Sequence, residues 1–333
     1  MNFLPRFSHI YVEEELLDHP DTARIRALFP RSHVIAIRRY TDVFNRKNQS
    51  FQAQFRSQGL ILAKKHGTLL YPGSPVCHDF GTDRFFYTAT ALNCMYSCDY
   101  CWLKGIYGSA VITVFLNLED YFQACEEQLN KGGLFLSLSY ESDLFPLEEI
   151  SGHLHRWSAF ARSHETLLAE VRTKSSRTDL LPLFKDHKNF IAAWTLSPQP
   201  VITACEHFTP SLESRIRAVN TALAMGCTVR LCLDPVLRIP DWKTVYADFL
   251  ARLAEAVDLS LVRDISIGSY RQSEEYQKRM RRRFPELAAA QYPYVSEGGF
   301  ARYKEHRDMD AWMRERLAQY VSEEKIFSLK EDL

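Results

Sequence analysis

The chain of 333 residues carries 41 Lys and Arg against 41 Asp and Glu, with 46% apolar and 25% charged residues, so its formal net charge is zero. These values exclude collagen-like, low-complexity and disordered classes. The zero balance also argues against a globally basic nucleic-acid binder, though not against a local basic face, and eight cysteines are too few for a disulfide-dense scaffold of this length.

Residues 1–6 lack a basic region followed by an apolar one, and no window approaches the roughly 18 apolar residues of a spanning helix. The expectation is a cytoplasmic protein whose cysteines are thiols or metal ligands. Charge is unevenly distributed. Residues 31–66 hold eight Lys and Arg and one acid, Asp42, whereas residues 117–149 hold eight acids and one base, Lys131. From residue 85 onward, strand-like runs at 85–92, 134–140, 167–173, 190–196, 228–234 and 262–268 alternate with helical patterns. Those patterns lie near 119–130, 147–162, 178–186, 211–225, 241–257 and 273–284. Ser211 reads as the N-cap of one helix and Gly226 as its stop. Six strands alternating with helices predict an α/β fold whose parallel sheet is built from right-handed βαβ units, either open or curled into a barrel.

Chemistry in such folds gathers at the carboxyl ends of strands. There the sequence places Cys94, Cys98 and Cys101, then Glu141, Ser142 and Asp143, then Lys174, Ser197, Asp234 and the pair Tyr270-Arg271. The C-x3-C-x2-C loop brings three thiolates to one soft metal centre. A zinc site would need a fourth ligand, which Cys77 or His78 can supply. An iron–sulfur cube held by three cysteines instead leaves one iron open to a substrate or cofactor.

The loop, with Tyr100 before its last cysteine, resembles the hallmark of radical S-adenosylmethionine (radical SAM) enzymes. The resemblance implies a 4Fe-4S cluster that binds S-adenosylmethionine and yields a 5′-deoxyadenosyl radical. It also implies a partial (β/α)6 TIM-type barrel with N-terminal and C-terminal extensions. Over nearly the whole chain the sequence is similar to the spore photoproduct lyase family, through ATALNCMYSCDYCWLKG (89–105), VFLNLEDYFQA (114–124), ESD (141–143), VRTK (171–174) and the span from WTLS (194–197) to SRIRAV (214–219). On that likeness residues 1–80 form an N-terminal extension packed on the barrel. Residues 81–272 form the barrel, and 273–333 a helix, hairpin and helix. Ser142, Lys174, Ser197 and Tyr100 fall on the cofactor side, and Lys174 has the charge to pair with the methionine carboxylate.

Two positions depart from the family. Tyr140 stands where the family's lyase has a cysteine that returns a hydrogen atom to the product radical, and Trp102 replaces a tyrosine implicated in radical relay. Tyr140 and Cys232, in phase with Asp234 on the fifth strand, are therefore the candidate donors. The segment 291–307 reads as a hairpin turning at Glu297-Gly298-Gly299, which in this family wedges into DNA beside an extruded lesion. With Arg271, Arg281 and Arg282, residues Arg302, Tyr303 and Lys304 would make a basic, aromatic face for damaged DNA. A low-potential electron donor such as flavodoxin or ferredoxin is the second implied partner. The reaction expected is reversal of a pyrimidine photoproduct or related lesion; the alternative is radical chemistry on a small molecule, peptide or RNA with the same scaffold. His153 and His155 read as surface histidines, Asp99 as a solvated carboxylate, and Arg215 and Arg217 as cofactor contacts or helix decoration. No chemistry is assigned to the first 80 residues.

Overall fold

A computed structural model describes residues 5–329. Two sheets share the core. The larger contains six parallel strands in sequence order, β5 (Phe85–Thr88), β9 (Leu134–Ser137), β10 (Leu167–Thr173), β11 (Phe190–Thr195), β13 (Val229–Val236) and β14 (Asp264–Ser269). All six correspond to the runs read from sequence. The core strands of this sheet are buried on both faces, which is why β11 reads as the unbroken apolar run FIAAWT rather than as an alternation. The sheet stays open and curls as a half-barrel. One edge is finished by β4 (Leu70–Pro72), antiparallel to β5, and the other by β18 (Ile326–Phe327), parallel to β14.

The smaller sheet was not legible as such. It runs β2 (His33–Ile37), β1 (His9–Glu13), β3 (Leu60–Ala63), β8 (Ile112–Phe115), β6 (Ala91–Leu92). Strand β8 follows the cysteine loop yet leaves the barrel to pair with β3, in register Leu60↔Ile112, and so ties the N-terminal region to the cysteine-loop segment. Five short strands in two small sheets complete the fold near the mouth. The pair β7 (Ser97–Cys98) and β12 (Glu206–His207) clips the cysteine loop to the segment after β11. The antiparallel trio β15 (Arg271–Ser273), β16 (Val295–Glu297) and β17 (Phe300–Arg302) contains the hairpin expected from Glu297-Gly298-Gly299.

Helices follow the sequence pattern with two corrections. The run 147–162 is two helices, Leu144–Ser151 and His153–Arg162, because Gly152 adopts φ +68°, a left-handed conformation that ends the first. The run 178–186 reduces to one turn at Leu181–Leu183, which contains Pro182. The helix Leu212–Ala224 starts as read, with Ser211 Oγ accepting from the Ser214 amide, and Gly226 follows its end at φ +76°.

Charges also sit inside the half-barrel. Arg230 on β13 is fully buried, donates to Glu170 at 2.6 Å and bonds Asp264 through Nε and Nη2, while its guanidinium lies 3.2 Å from the Phe80 ring centroid. Burial alone would raise the Glu170 carboxyl, but Arg172 and Arg230 outweigh it and hold it below the usual range. No helix among the described residues is long and apolar enough to cross a membrane.

Candidate active site

A cavity of about 610 Å³ opens at the carboxyl ends of the parallel strands, within the size range of small-molecule sites. Its first wall is the cysteine loop. Cys94, Cys98 and Cys101 all line it, and Cys98 and Cys101 lie near enough for their charges to raise the Cys94 thiol. Burial pushes the Cys94 thiol up and holds Cys98 at about 12, with Lys174 pulling the latter down. A cation that repays this desolvation would displace the protons, so the loop fits a thiolate-bound metal centre. The three sulfurs are not drawn together in advance: among the described residues no trio of His, Cys, Asp or Glu is preset to hold a metal.

Around that loop the predicted cofactor residues divide. Ser142 lines the cavity, is 9% exposed, and its Oγ has no hydrogen-bond partner, a buried polar atom free for a ligand. Its neighbour Asp143 accepts from the Phe145 and Lys174 amides and from the Thr173 hydroxyl, which anchors the turn although burial pushes its carboxyl up to about 6. Lys174 lines the cavity with Nζ 5.6 Å from the Tyr100 ring centroid; burial opposes its charge, but Cys98 and Glu206 raise its pKa and keep it cationic. Tyr100 also lines the cavity, with its hydroxyl donating to Glu206. Ser197 does not reach the cavity, because its hydroxyl donates to Glu206 at 2.9 Å.

Glu206, which sequence reading missed, organises this side. It accepts from Tyr100, Ser197 and the fully buried Arg215, and Lys174 and Arg215 hold it ionised against the cost of burial. Arg215 also donates to the Thr195 and Pro210 carbonyls, so it is a buried brace rather than a cofactor contact, and Arg217 pairs with Glu213 at the surface. Asp99 accepts from His207 at 3.0 Å and is not simply solvated. His153 is a second correction. It is 1% exposed and bonds Thr90 Oγ1 through Nδ1 at 3.1 Å, just before the cysteine-loop segment, whereas His155 is exposed and pairs with Glu148.

The opposite wall comes from segments far apart in sequence. Tyr140 stacks on Tyr87 at 4.0 Å and 23° and lies 5.3 Å from Trp102, which stacks on Tyr276 at 6.3 Å. Tyr276 reaches this position because its helix, Glu274–Arg283, packs on Gly105; a Cβ there would lie 2.5 Å from the Tyr276 carbonyl oxygen. The Tyr140 hydroxyl lies 3.3 Å from Cys77 Sγ, and burial pushes both pKa values up. Beside Cys77, His78 Nε2 is 3.3 Å from Asp234, and its Nδ1 has no hydrogen-bond partner. The first 80 residues therefore contribute side chains to this wall. Cys232 is 0% exposed and does not line the cavity, although it shares the β13 face of Asp234, which does.

The basic, aromatic face is smaller than expected. Arg271 is locked in a two-pronged pair with Asp234 at 2.9 Å and also donates to the Val76 carbonyl, so it faces inward rather than toward a phosphate. Tyr303 is buried among Tyr270, Tyr292 and Tyr294. Arg302 is buried too, with Nε and Nη2 unpartnered. Arg281, Arg282 and Lys304 are exposed, with Arg281 partly spent on the Ala290 and Tyr292 carbonyls. The hairpin tip Gly298, Gly299 and Phe300 lines the cavity directly.

Comparison with known proteins matches this arrangement. The sequence model described as SPL: Spore photoproduct lyase matches residues 7–322. The chain is 23% identical over 252 residues to the spore photoproduct lyase of Geobacillus sp. strain Y412MC61, covering 71% of this chain and 74% of that one. It is 24% identical over 166 residues to the spore photoproduct lyase of Clostridium acetobutylicum, covering 49% of each. Among solved structures, a spore photoproduct lyase mutant with bound AdoMet and dinucleoside spore photoproduct superposes with TM-score 0.82 at 18% identity, covering 99% of both chains. A spore photoproduct lyase complexed with dinucleoside spore photoproduct gives TM-score 0.81 at 18% identity, again over 99% of both.

Proposed function

The chain belongs to the spore photoproduct lyase family, and from that premise we propose that it is a radical SAM lyase that reverses a pyrimidine photoproduct in DNA. The observation that carries this reading is the convergence of three features on one cavity: the C-x3-C-x2-C loop, the partnerless Ser142 hydroxyl beside Lys174, and the tip of the hairpin. When bound, a 4Fe-4S cluster with S-adenosylmethionine supplies a 5′-deoxyadenosyl radical. The chain's own residues have separate tasks. Cys94, Cys98 and Cys101 hold the cluster and leave one iron for the cofactor. Lys174 neutralises the cofactor carboxylate while Glu206 and Tyr100 fix its surroundings, and Ser142 donates or accepts one hydrogen bond.

On the lesion side, Gly298 and Gly299 bring backbone close to an extruded dinucleotide, and Phe300 offers a stacking face. The exposed Arg281, Arg282 and Lys304 supply phosphate contacts. Bases at 31–66 lie on other elements and take no part in this reading. A low-potential one-electron donor of the flavodoxin or ferredoxin kind completes the set of partners.

The test is product analysis. Protein reconstituted anaerobically, given S-adenosylmethionine, reductant and duplex DNA with defined photoproducts, should form 5′-deoxyadenosine and release repaired bases. Equal binding to irradiated and intact duplex across a salt series, with no repaired product, would overturn the DNA reading and favour a small molecule, peptide or RNA instead.

A further inference from the structure

A substrate radical formed in this cavity must be closed by a hydrogen atom from the protein, and the residue at position 140 is a phenol rather than a thiol. The eight cysteines narrow the choice. Four line the cavity, Cys77, Cys94, Cys98 and Cys101, and three of these belong to the cluster loop. Cys232, Cys125, Cys205 and Cys227 do not reach it. Cys77 is thus the one cavity thiol left to react. It is contributed by the loop after β4, on the wall opposite the cluster loop.

Its surroundings suit a donor. Cys77 Sγ and Tyr140 Oη lie 3.3 Å apart, close enough for hydrogen to pass between them. The Tyr140 ring is stacked on Tyr87 and packed against Trp102, so the one ring in contact with the thiol is itself backed by two further oxidisable rings. Burial keeps Cys77 as S–H, the form that delivers a hydrogen atom, where a thiolate would deliver only an electron. An independent sign of a ligand in the same space is the pair of buried, partnerless polar atoms on the cavity wall, Ser142 Oγ and His78 Nδ1.

We propose that Cys77 is the catalytic hydrogen-atom donor to the product radical and that Tyr140 refills it. In the first transfer the S–H bond breaks and a C–H bond forms on the repaired base. One proton and one electron move together, the carbon radical is reduced, and Cys77 becomes a thiyl radical. In the second, the Tyr140 O–H bond breaks, the Cys77 S–H bond re-forms and the hole rests on the tyrosine and its stacked neighbours. A one-electron low-potential donor, of the class that reduces the cluster, and a solvent proton then restore the phenol. This assignment rests on the radical lyase reading above.

The experiment runs the reconstituted holoenzyme in deuterated buffer, where thiol and phenol exchange, and measures three quantities. These are deuterium in the repaired base, the ratio of repaired base to 5′-deoxyadenosine, and transfer of substrate deuterium into 5′-deoxyadenosine from a labelled lesion. The wild type should place one deuterium in the repaired product for each lesion reversed. Cys77→Ser keeps the polar contact but has a stronger X–H bond, and should lower the product ratio about tenfold or more, equal to at least about 1.4 kcal/mol of lost transition-state stabilisation. Tyr140→Phe should sustain the first turnover and lose later ones. The double variant Cys77→Ser with Tyr140→Cys puts a thiol back across the same contact and should recover much of the ratio. Apo-protein melting by circular dichroism checks that each variant folds. A folded Cys77→Ser protein with the wild-type ratio and deuterium content would overturn the assignment alone. Failure of substrate deuterium to enter 5′-deoxyadenosine in the wild type would overturn the radical lyase reading and this assignment with it.

Discussion

The two walls of the cavity are built on different plans. The cofactor wall is dense in polar partners: the cysteine loop, the turn at Ser142 and Asp143, and Lys174 are placed by the ends of successive strands, and Glu206 braces Tyr100 and Lys174. The opposite wall joins Cys77, Tyr87, Tyr140, Trp102, Tyr276 and the hairpin tip from six separate segments, with ring stacking as its main contact between them. On the proposed reading, cofactor binding rests on the ends of neighbouring parallel strands, whereas the fate of the substrate radical rests on the ring packing around Tyr140.

The largest effect should come from the cofactor wall itself. Cys98→Ala removes one of three cluster ligands, and formation of 5′-deoxyadenosine should fall to background; persistent cleavage would mean the loop is not the cofactor wall. Next is the floor that both walls share. Arg230→Ala takes from the buried Glu170 and Asp264 their shared partner and leaves each one arginine at 3.3 Å, Arg172 and Arg263, so the urea midpoint should reflect a loss of about 3 kcal/mol. A loss near zero would show that the two walls stand without that ion network.

One acid-sensitive group sits just before the cysteine loop. Burial, with Arg156 adding to it, depresses His153 to about 3, so the unfolded chain binds a proton before the folded one does. Its contribution is complete above pH 6.5 and is lost as pH falls toward 3, by roughly 5 kcal/mol at most. His153→Phe should flatten that part of the acid limb in a stability-versus-pH series; an unchanged slope would place the acid sensitivity elsewhere. The smallest effect belongs to the outer rim. Arg282→Ala with Lys304→Ala should weaken DNA binding by a few-fold and reduce the salt slope by about 2. Arg271→Ala, by contrast, should lower stability rather than the slope, because its partner is Asp234. A slope change with Arg271→Ala and none with the rim pair would reverse the assignment of the DNA face.

Much of the fold was legible because buried parallel strands leave short apolar-rich runs between helical patterns, and all six of those runs are strands. The N-terminal sheet was not, since exposed β2 and four-residue β3 and β8 lack a distinctive period and are defined only by pairing across some 50 residues. Of the site, the cysteine loop was plain from spacing. Ser197, Arg271 and Tyr303 carried the right chemistry, but their side chains turn to Glu206, to Asp234 and to a tyrosine cluster.

What the amino-acid sequence determined by itself was the chemistry that depends on local spacing: three thiols within eight residues and polar residues closing successive strands. A loop this short can bring those groups together with little help from the rest of the chain. Only the tertiary structure decided which distant groups meet, Glu206 with Tyr100 and Arg215, and Cys77 with Tyr140. Contacts between residues 63 or 106 positions apart leave no periodic trace in the chain. They exist because the curled sheet and the helix packed on Gly105 bring those segments to one mouth.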